Sequence, residues 1–443
     1  MKTVLDFLHF SNPTNDQKNV LVGIDSFIQS SNTDNFLIIQ GAAGTGKTSI
    51  VSALVNYLND CDRSYSIAAP TGRAARIIGK KVGASASTIH SMIFKPETDK
   101  KTGKVSFHLK QRHDAKPTVY ILDEASMITS RETGLDVNFG SQMDVLTSTI
   151  TYIFAANPNN KVIFIGDNYQ LEPVGEEKSF ALDKEHLEKK YVLKGSIHLL
   201  TEVKRQEDGS YILENATEIR DAIDKGLESY TLSGTKSRSI YSSASNFTKE
   251  IKSNGPVGTI ALGVSHKANK FFNDLVRNEL FGYSKNKIEK GDIMMLTRNW
   301  SRNEAVLHNG DQVELLDVAW DNIETVCDLN FVPIKFRPLF SDEVYEDFLL
   351  FDTVVNLGGK IDGKKETELL HQRYVKNKNF RKTENLEDDK YLGAIRLIYG
   401  YSITCHKAQG GEWNKVVINS MGIPNLRWQY TAVTRAINHI EHF

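Results

Sequence analysis

Cysteine, net charge and long apolar runs are what these 443 residues have least of. Cys61, Cys327 and Cys405 stand far apart. They are too few and too scattered for a disulfide framework or a zinc cluster, and their scarcity suits a reducing compartment. No stretch approaches the ~18 apolar residues of a membrane helix. Met1-Lys-Thr-Val-Leu-Asp-Phe places an acid where a signal peptide would stay apolar. A cytoplasmic chain with no membrane partner is expected. Lysine plus arginine (54) and aspartate plus glutamate (55) nearly cancel, so no global nucleic-acid signature exists. Residues 41–120 are the exception, with 13 basic against 5 acidic residues. Such a surplus can track a phosphate backbone.

What is present is ordinary soluble composition, 40% hydrophobic and 25% charged, in a length that holds roughly two to four domains. Its focus is Gly41-Ala-Ala-Gly-Thr-Gly-Lys-Thr48. The apolar run Phe36–Gln40 precedes it, and Ile50, Leu54, Val55 and Leu58 recur at helical spacing behind it. Strand, glycine loop and helix are the setting of a phosphate-binding P-loop. Backbone N–H groups from Gly41 through Ser49, Ala43, Gly44, Thr45 and Gly46 among them, can turn toward phosphate at a helix N-terminus. Lys47 can reach the β- and γ-phosphates of ATP, and the Thr48 hydroxyl can ligate Mg²⁺.

Further apolar strands each end in polar residues. Tyr65–Pro70 leads into Thr71-Gly-Arg, Thr118–Leu122 into Asp123-Glu124, and Lys161–Ile165 into Gly166-Asp-Asn-Tyr-Gln170. Open α/β sheets place ligands at the carboxyl ends of their strands. Successive βα units up to residue 180 predict a doubly wound parallel sheet. Asp123 can hold Mg²⁺, Glu124 can orient or deprotonate the attacking water, and Gln170 is placed to sense the γ-phosphate. Phosphoryl transfer also wants a positioned arginine, worth ~10³–10⁵ in rate. Arg205 and Arg435 are the two candidates. A basic hairpin is expected over residues 93–116, with its turn at Asp99–Lys104. Strands resume at residues 197–205 and 259–263, and residues 320–390 lose the strand–helix alternation.

Taken in order, these segments resemble the superfamily 1 helicases, in the 1B branch that holds Dda, RecD and Pif1. Thr14-Asn-Asp-Gln17 resembles the segment that reads adenine, and Gly41 to Thr48 the first motif of the family. Ala69–Ala75, Ala86–His90, Asp123–Ser126 and Gly166–Pro173 follow in the family's order. Tyr401–Glu412 and Tyr430–Arg435 resemble its last two motifs. The resemblance implies two RecA-like P-loop domains with parallel, doubly wound sheets. The first would span residues 1–92 and 117–196, with a β-hairpin pin at 93–116. The second would span 197–309 and 391–443, with an SH3-like β insert at 310–390. It implies that Gln17 and Glu412 bind the nucleotide, and that ATP lies between the two domains.

It further implies that Pro70, Thr71, Gly72, Thr88, His90, His266, Lys267, Asn269, Thr404, His406 and Lys407 contact single-stranded DNA. Phe94 or Phe107 would be an aromatic platform at the pin. The implied protein is a monomeric 5′-to-3′ DNA helicase in a bacterial or phage-infected cell. It would act on single strands and single/double-strand junctions, beside replication or recombination proteins. With no N-terminal extension to carry a nuclease or relaxase, a free-standing motor is expected. Two other classes stay open on the residues alone. An ATP-gated single-strand binder would not unwind, and a small-molecule P-loop kinase would hydrolyse ATP without regard to DNA.

Overall fold

The computed structural model describes residues 2–29, 33–98, 105–134, 142–202, 211–282, 287–302 and 305–443. The chain divides into two units, Met1–Glu97 with Ser106–Gly209, and Thr98–Val105 with Ser210–Phe443.

In the first unit the apolar runs become β1 (Phe36–Gly41), β2 (Tyr65–Ala69) and β3 (Ala86–Thr88). The strands β4 (Phe94–Thr98) and β5 (Val105–Leu109) pair as a two-stranded sheet. Next come β6 (Val119–Leu122), a second small pair of β7 (Glu132–Gly134) with β8 (Gln142–Asp144), then β9 (Lys161–Gly166) and β10 (Gly195–Leu200). The main sheet runs β10-β1-β9-β6-β2-β3, with every neighbour parallel. The helices are α1 (Asn15–Ile28), α2 (Lys47–Asp60), α3 (Gly72–Val82), α4 (Ile89–Ile93), α5 (Val145–Ala156) and α6 (Lys184–Tyr191).

Alternation along the strands fills both faces, as a sheet covered on two sides requires. Leu37, Ile39, Ile121, Ile163 and Ile165 pack with Ile24 of α1 and Leu54 and Leu58 of α2. Phe36, Ile38, Tyr120, Leu122 and Phe164 pack with Leu146, Ile150 and Ile153 of α5. Each such side chain, fully buried, contributes about 1.5–3 kcal/mol. This rigid double core fixes the loops at the carboxyl edge.

One expected boundary is wrong. Ile197–Leu200 does not open the second domain; it lies in β10, the edge strand of the first sheet, with Ile197 opposite Ile38. The apolar run reads the same in either sheet, and only its pairing with β1 decides.

The second unit begins with α7 (Tyr211–Asp224), β11 (Thr235–Lys236), α8 (Ile240–Asn254), β12 (Thr259–Gly263) and α9 (His266–Phe281). The strands that follow are β13 (Ile293–Leu296), β14 (Trp300–Arg302), β15 (Ala305–Leu307), β16 (Gln312–Val318), β17 (Glu324–Val326), β18 (Leu329–Pro338), β19 (Tyr345–Leu350) and β20 (Leu397–Tyr399). Finally come β21 (Ser402–Thr404), β22 (Trp413–Ile418) and β23 (Ala436–His442). Its parallel sheet is ordered β11-β23-β22-β12-β21. The inserted sheet is antiparallel, ordered β17-β18-β16-β13-β20 with β19 on β18.

That insert is wider than residues 310–390: it starts at Ile293 and closes with Tyr399. Ile293–Leu296 is fully buried and β20 is half of an antiparallel pairing, so neither announces the change of sheet. Helices Gly363–Lys376 and Lys378–Thr383 lie within it. A buried ion pair ties α9 to this insert. Arg277 Nε donates to Asp292 Oδ1 at 2.8 Å, and the Tyr401 hydroxyl donates to the same oxygen at 3.0 Å. Removing either ion of such a pair leaves an uncompensated buried charge. Among the described residues, no helix is long and apolar enough to cross a membrane.

Candidate nucleotide site and nucleic-acid edge

The central strands β1, β9 and β6 are neighbours, so the loops that leave them meet at one edge. Register puts Gln40 beside Gly166 and Leu122 beside Phe164, which brings Gly41, Asp123 and Gly166 to one level. The P-loop is held from inside. Thr45, fully buried, donates its hydroxyl to Ala42 O at 2.8 Å. Lys47 Nζ donates to Gly41 O at 2.5 Å and to Ala42 O at 2.9 Å. Gly46 takes φ +90°, and a Cβ there would lie 2.6 Å from Gln17 Nε2, so only glycine fits. Ala43, Gly44, Thr48 and Ser49 are half-buried on the same loop.

Gln17 proves to be a brace. It is buried, donates Nε2 to Thr45 O at 2.9 Å, and accepts the Thr14 N–H on Oε1 at 3.0 Å. Both ends of its amide therefore serve the protein. Sequence reading found the residue but missed this role.

Asp123 continues β6, its N–H donating to Ala68 O at 2.9 Å. Burial, and then the neighbouring Glu124 carboxylate, push its carboxyl up to about 7, while Lys47 pulls the other way. Glu124 sits at φ +51°, a left-handed conformation that a non-glycine residue holds only when its surroundings enforce it. Among the described residues, three buried polar atoms here have no hydrogen-bond partner: Glu124 Oε2, Ser126 Oγ and Gln170 Oε1. Buried polar atoms are nearly always paired, so each asks for a partner from outside the chain. Ser126 lies in the motif that the sequence singled out, but its orphan hydroxyl shows only in three dimensions.

Next along the edge, β2 and β3 place Ala69 beside Thr88. Thr71 caps α3 by accepting the Ala74 N–H at 3.2 Å, and Thr88 caps α4 by accepting the Ser91 N–H at 3.0 Å. Pro70, Thr71, Thr88 and His90 are half-buried around them; Gly72 is buried. Desolvation pushes the His90 imidazole below its ordinary value, so it is neutral near pH 7. For Phe94 the expected aromatic platform is contradicted, since it is 4% exposed in the core; Phe107 is half-buried against that core. Local sequence could not show this, because the apolar partners come from distant segments such as α5. The hairpin turn Asp99–Lys104 and the candidate Arg205 lie outside the described residues.

The second unit repeats the pattern. Gly263 and Thr404 are neighbours at the carboxyl ends of β12 and β21. Behind them α9 starts at its cap Ser265, and His266, Asn269, Thr404 and Lys407 line one pocket with Lys270 and Ser402. Asn269 accepts the Ser402 hydroxyl at 2.9 Å, yet its buried Nδ2 has no partner among the described residues. A Cβ on Gly263 would overlap Asn269 Oδ1, which explains the glycine. Lys267, His406 and Glu412 are exposed outside the pocket. Burial holds the Lys407 ammonium below the usual lysine range.

Arg435 is 4% exposed. It donates Nε to Thr431 O at 3.1 Å, Nη1 to Gly411 O at 3.2 Å and Nη2 to Thr434 Oγ1 at 3.2 Å. These acceptors are all neutral, and they join the last two motif segments to each other.

A family model described as an AAA domain matches residues 24–235, and one described as a UvrD-like helicase C-terminal domain matches residues 399–439. The ATP-dependent DNA helicase Dda of Enterobacteria phage T4 is 26% identical over 379 residues, 77% of this chain and 80% of that protein. The RecBCD enzyme subunit RecD of Buchnera aphidicola is 24% identical over 467 residues, 93% of this chain and 70% of that protein. The fold matches the Pif1 helicase from Candida albicans with a TM-score of 0.53 at 14% identity, covering 98% of this chain and 94% of that one. A Bacteroides Pif1 matches with a TM-score of 0.52 at 16% identity, covering 98% and 92%. Motif order, curated relatives and fold together support a superfamily 1B helicase, and the chain is similar to Dda, RecD and Pif1.

Proposed function

We propose that this chain is an ATP-dependent DNA helicase that moves 5′ to 3′ along single-stranded DNA and separates strands ahead of it. One observation carries the reading: a single sheet edge holds the nucleotide loops after β1, β9 and β6, and the hydroxyl-bearing loops after β2 and β3 directly beside them. Motion of the phosphate loop and grip on a nucleic-acid backbone then share one rigid frame. The relatives agree in kind: Dda is an ATP-dependent DNA helicase, and the Bacteroides Pif1 was solved bound to single-stranded DNA.

The residues present fit magnesium and ATP. The orphan atoms of Glu124 and Gln170 are acceptors suited to water and metal-bound water, and the Ser126 hydroxyl can donate to phosphate as well. Thr48 and Asp123 would hold Mg²⁺, which when bound neutralises charge on the phosphates. Lys47 exchanges its bonds to Gly41 O and Ala42 O for phosphate oxygens. Glu124 accepts the proton of the attacking water, and Gln170 orients that water or senses the γ-phosphate. Arg435 supplies positive charge to the transferring group, and Glu412 engages the ribose. Thr71, Thr88, Thr404, His266 and Lys407 grip backbone phosphate without reading sequence. Duplexes with a 5′ or a 3′ tail, in DNA and RNA versions, test this directly. ATP-dependent unwinding of 5′-tailed DNA is expected; ATPase stimulated by DNA without any strand separation would overturn the motor.

A further inference from the structure

The first turn of α1 holds two things at once. Gln17 donates to Thr45 O inside the P-loop at 2.9 Å. Its neighbour Asp16 turns the other way and accepts three bonds on Oδ2: from Thr201 N–H at 2.8 Å, from the Thr201 hydroxyl at 2.6 Å, and from Glu202 N–H at 3.2 Å. Glu202 returns one, accepting the Asp16 N–H at 3.3 Å. Thr201 and Glu202 are the residues that leave β10 at the end of the first sheet, and in sequence they precede the second unit. The Thr201 bonds hold the Asp16 carboxyl below its ordinary range, as charge-assisted bonds to an anion do.

The turn itself is stiff. Thr14 accepts the Gln17 N–H at 3.2 Å and Gln17 returns the bond to Thr14 N–H, closing a capping box. A push on Thr45 is therefore passed to Asp16 by one turn of capped helix, with no loop between them to absorb it. Neither contact is needed to fold a helix end, because Thr14 alone already caps it.

We propose that the Asp16–Gln17 turn is a positioning element that couples the phosphate loop to the strap Thr201–Glu202, so that nucleotide at Lys47 and the chain leaving the first sheet respond to each other. This rests on the ATP reading of the P-loop. Coupling of two sites is reciprocal: if nucleotide tightens the strap, loosening the strap must weaken nucleotide by the same factor.

Amide hydrogen exchange on the full chain measures one direction, because the Thr201 and Glu202 N–H groups are themselves the reporters. Wild-type protein saturated with a slowly hydrolysed ATP analogue and magnesium should exchange these amides about threefold more slowly, or slower still, than free protein. In Gln17→Glu, which keeps the bond to Thr14 and loses the donor to Thr45, saturation should leave the rate unchanged. The other direction uses Asp16→Asn, read by nucleotide titration, with melting curves to show that the variant is folded. Its nucleotide Kd should rise by about the same threefold. An unchanged Kd in Asp16→Asn, or a full nucleotide response in Gln17→Glu, would overturn the coupling while leaving the ATP site intact. Wild-type protein that binds no nucleotide would instead remove the ATP reading, and the coupling with it.

Discussion

Among the described residues, the buried atoms left without a partner at the first unit's sheet edge are Glu124 Oε2, Ser126 Oγ and Gln170 Oε1; at the second's they are the amide donor Asn269 Nδ2 and the hydroxyl Ser420 Oγ, just past β22. The same unit also buries Arg435, a cation that donates three bonds to neutral oxygens. Two parallel sheets, each with candidate residues at its carboxyl edge, are thus finished with different orphan groups. The orphan oxygens of Glu124 and Gln170 ask for donors such as water, whereas the orphan amide of Asn269 asks for an acceptor. Similar frames have been given complementary chemistry, and folding alone satisfies neither.

The sharpest way to break that comparison is to remove its charges one at a time. Lys47→Ala should abolish hydrolysis and leave single-strand binding largely intact. Arg435→Ala should lower kcat by about 10³–10⁵, with the guanidinium's partners Thr431, Gly411 and Thr434 left otherwise in place. ATP turnover measured with and without single-stranded DNA checks both. Turnover in Arg435→Ala within tenfold of wild type would mean that the buried cation is only structural. Glu124→Gln comes next, with an expected loss of about 10²–10⁴ in kcat for removal of a general base. Nucleotide affinity should be retained, which a fluorescent-nucleotide titration reads.

How much of this was legible in the sequence depends on how local the determinant is. The P-loop, Asp123 and Thr404 were legible because a strand end and the few residues after it specify each of them. The placement of Ile197–Leu200 was not, since its partner strand is more than a hundred residues away at Phe36–Gly41. Phe94 looked like an exposed platform for the same reason: the core that buries it includes Leu146 and Ile150 of α5. Ile293–Leu296 reads as a core strand of a parallel sheet, yet pairs antiparallel with Gln312–Glu314 and Leu397–Tyr399. Gln17 was found, but its partner Thr45 depends on how α1 lies over the loop. Short-range chemistry was therefore visible, whereas pairing and burial were not.

A smaller effect tests the electrostatics of the first edge by itself. The Asp123 carboxyl is raised to about 7 by burial and by Glu124, against ~3.9 in an unfolded chain. Between those values the folded state binds more protons than the unfolded one, so this group's contribution to stability falls as pH rises from about 4 to about 7. At pH 8, without nucleotide or metal, Asp123→Asn should melt several degrees higher than wild type, even though it loses magnesium-dependent hydrolysis. At pH 4 the two should melt together. Equal melting temperatures at both pH values would show that the charge is well solvated after all. The same titration lowers activity in acid, because a protonated Asp123 cannot ligate Mg²⁺. Magnesium should shift the midpoint of that loss below 7.

The smallest expected effect concerns the donor-rich edge. Lys407 lines the pocket with His266, Asn269 and Thr404, and burial holds its ammonium below the usual range. If it neutralises one phosphate of a single strand, binding releases one counterion there. Lys407→Ala should then weaken binding similarly for every sequence. The slope of log K against log salt should become shallower by about 0.7, the value for one contact to a single strand. Thr404→Val removes a hydroxyl at the same place but no charge, so it should weaken binding with the salt slope unchanged. A lysine that merely packs the pocket would give the reverse pattern in Lys407→Ala, a loss of affinity that salt does not touch. The pair of variants thus separates charge from shape at an edge where Asn269 Nδ2, without a partner among the described residues, already marks room for an acceptor.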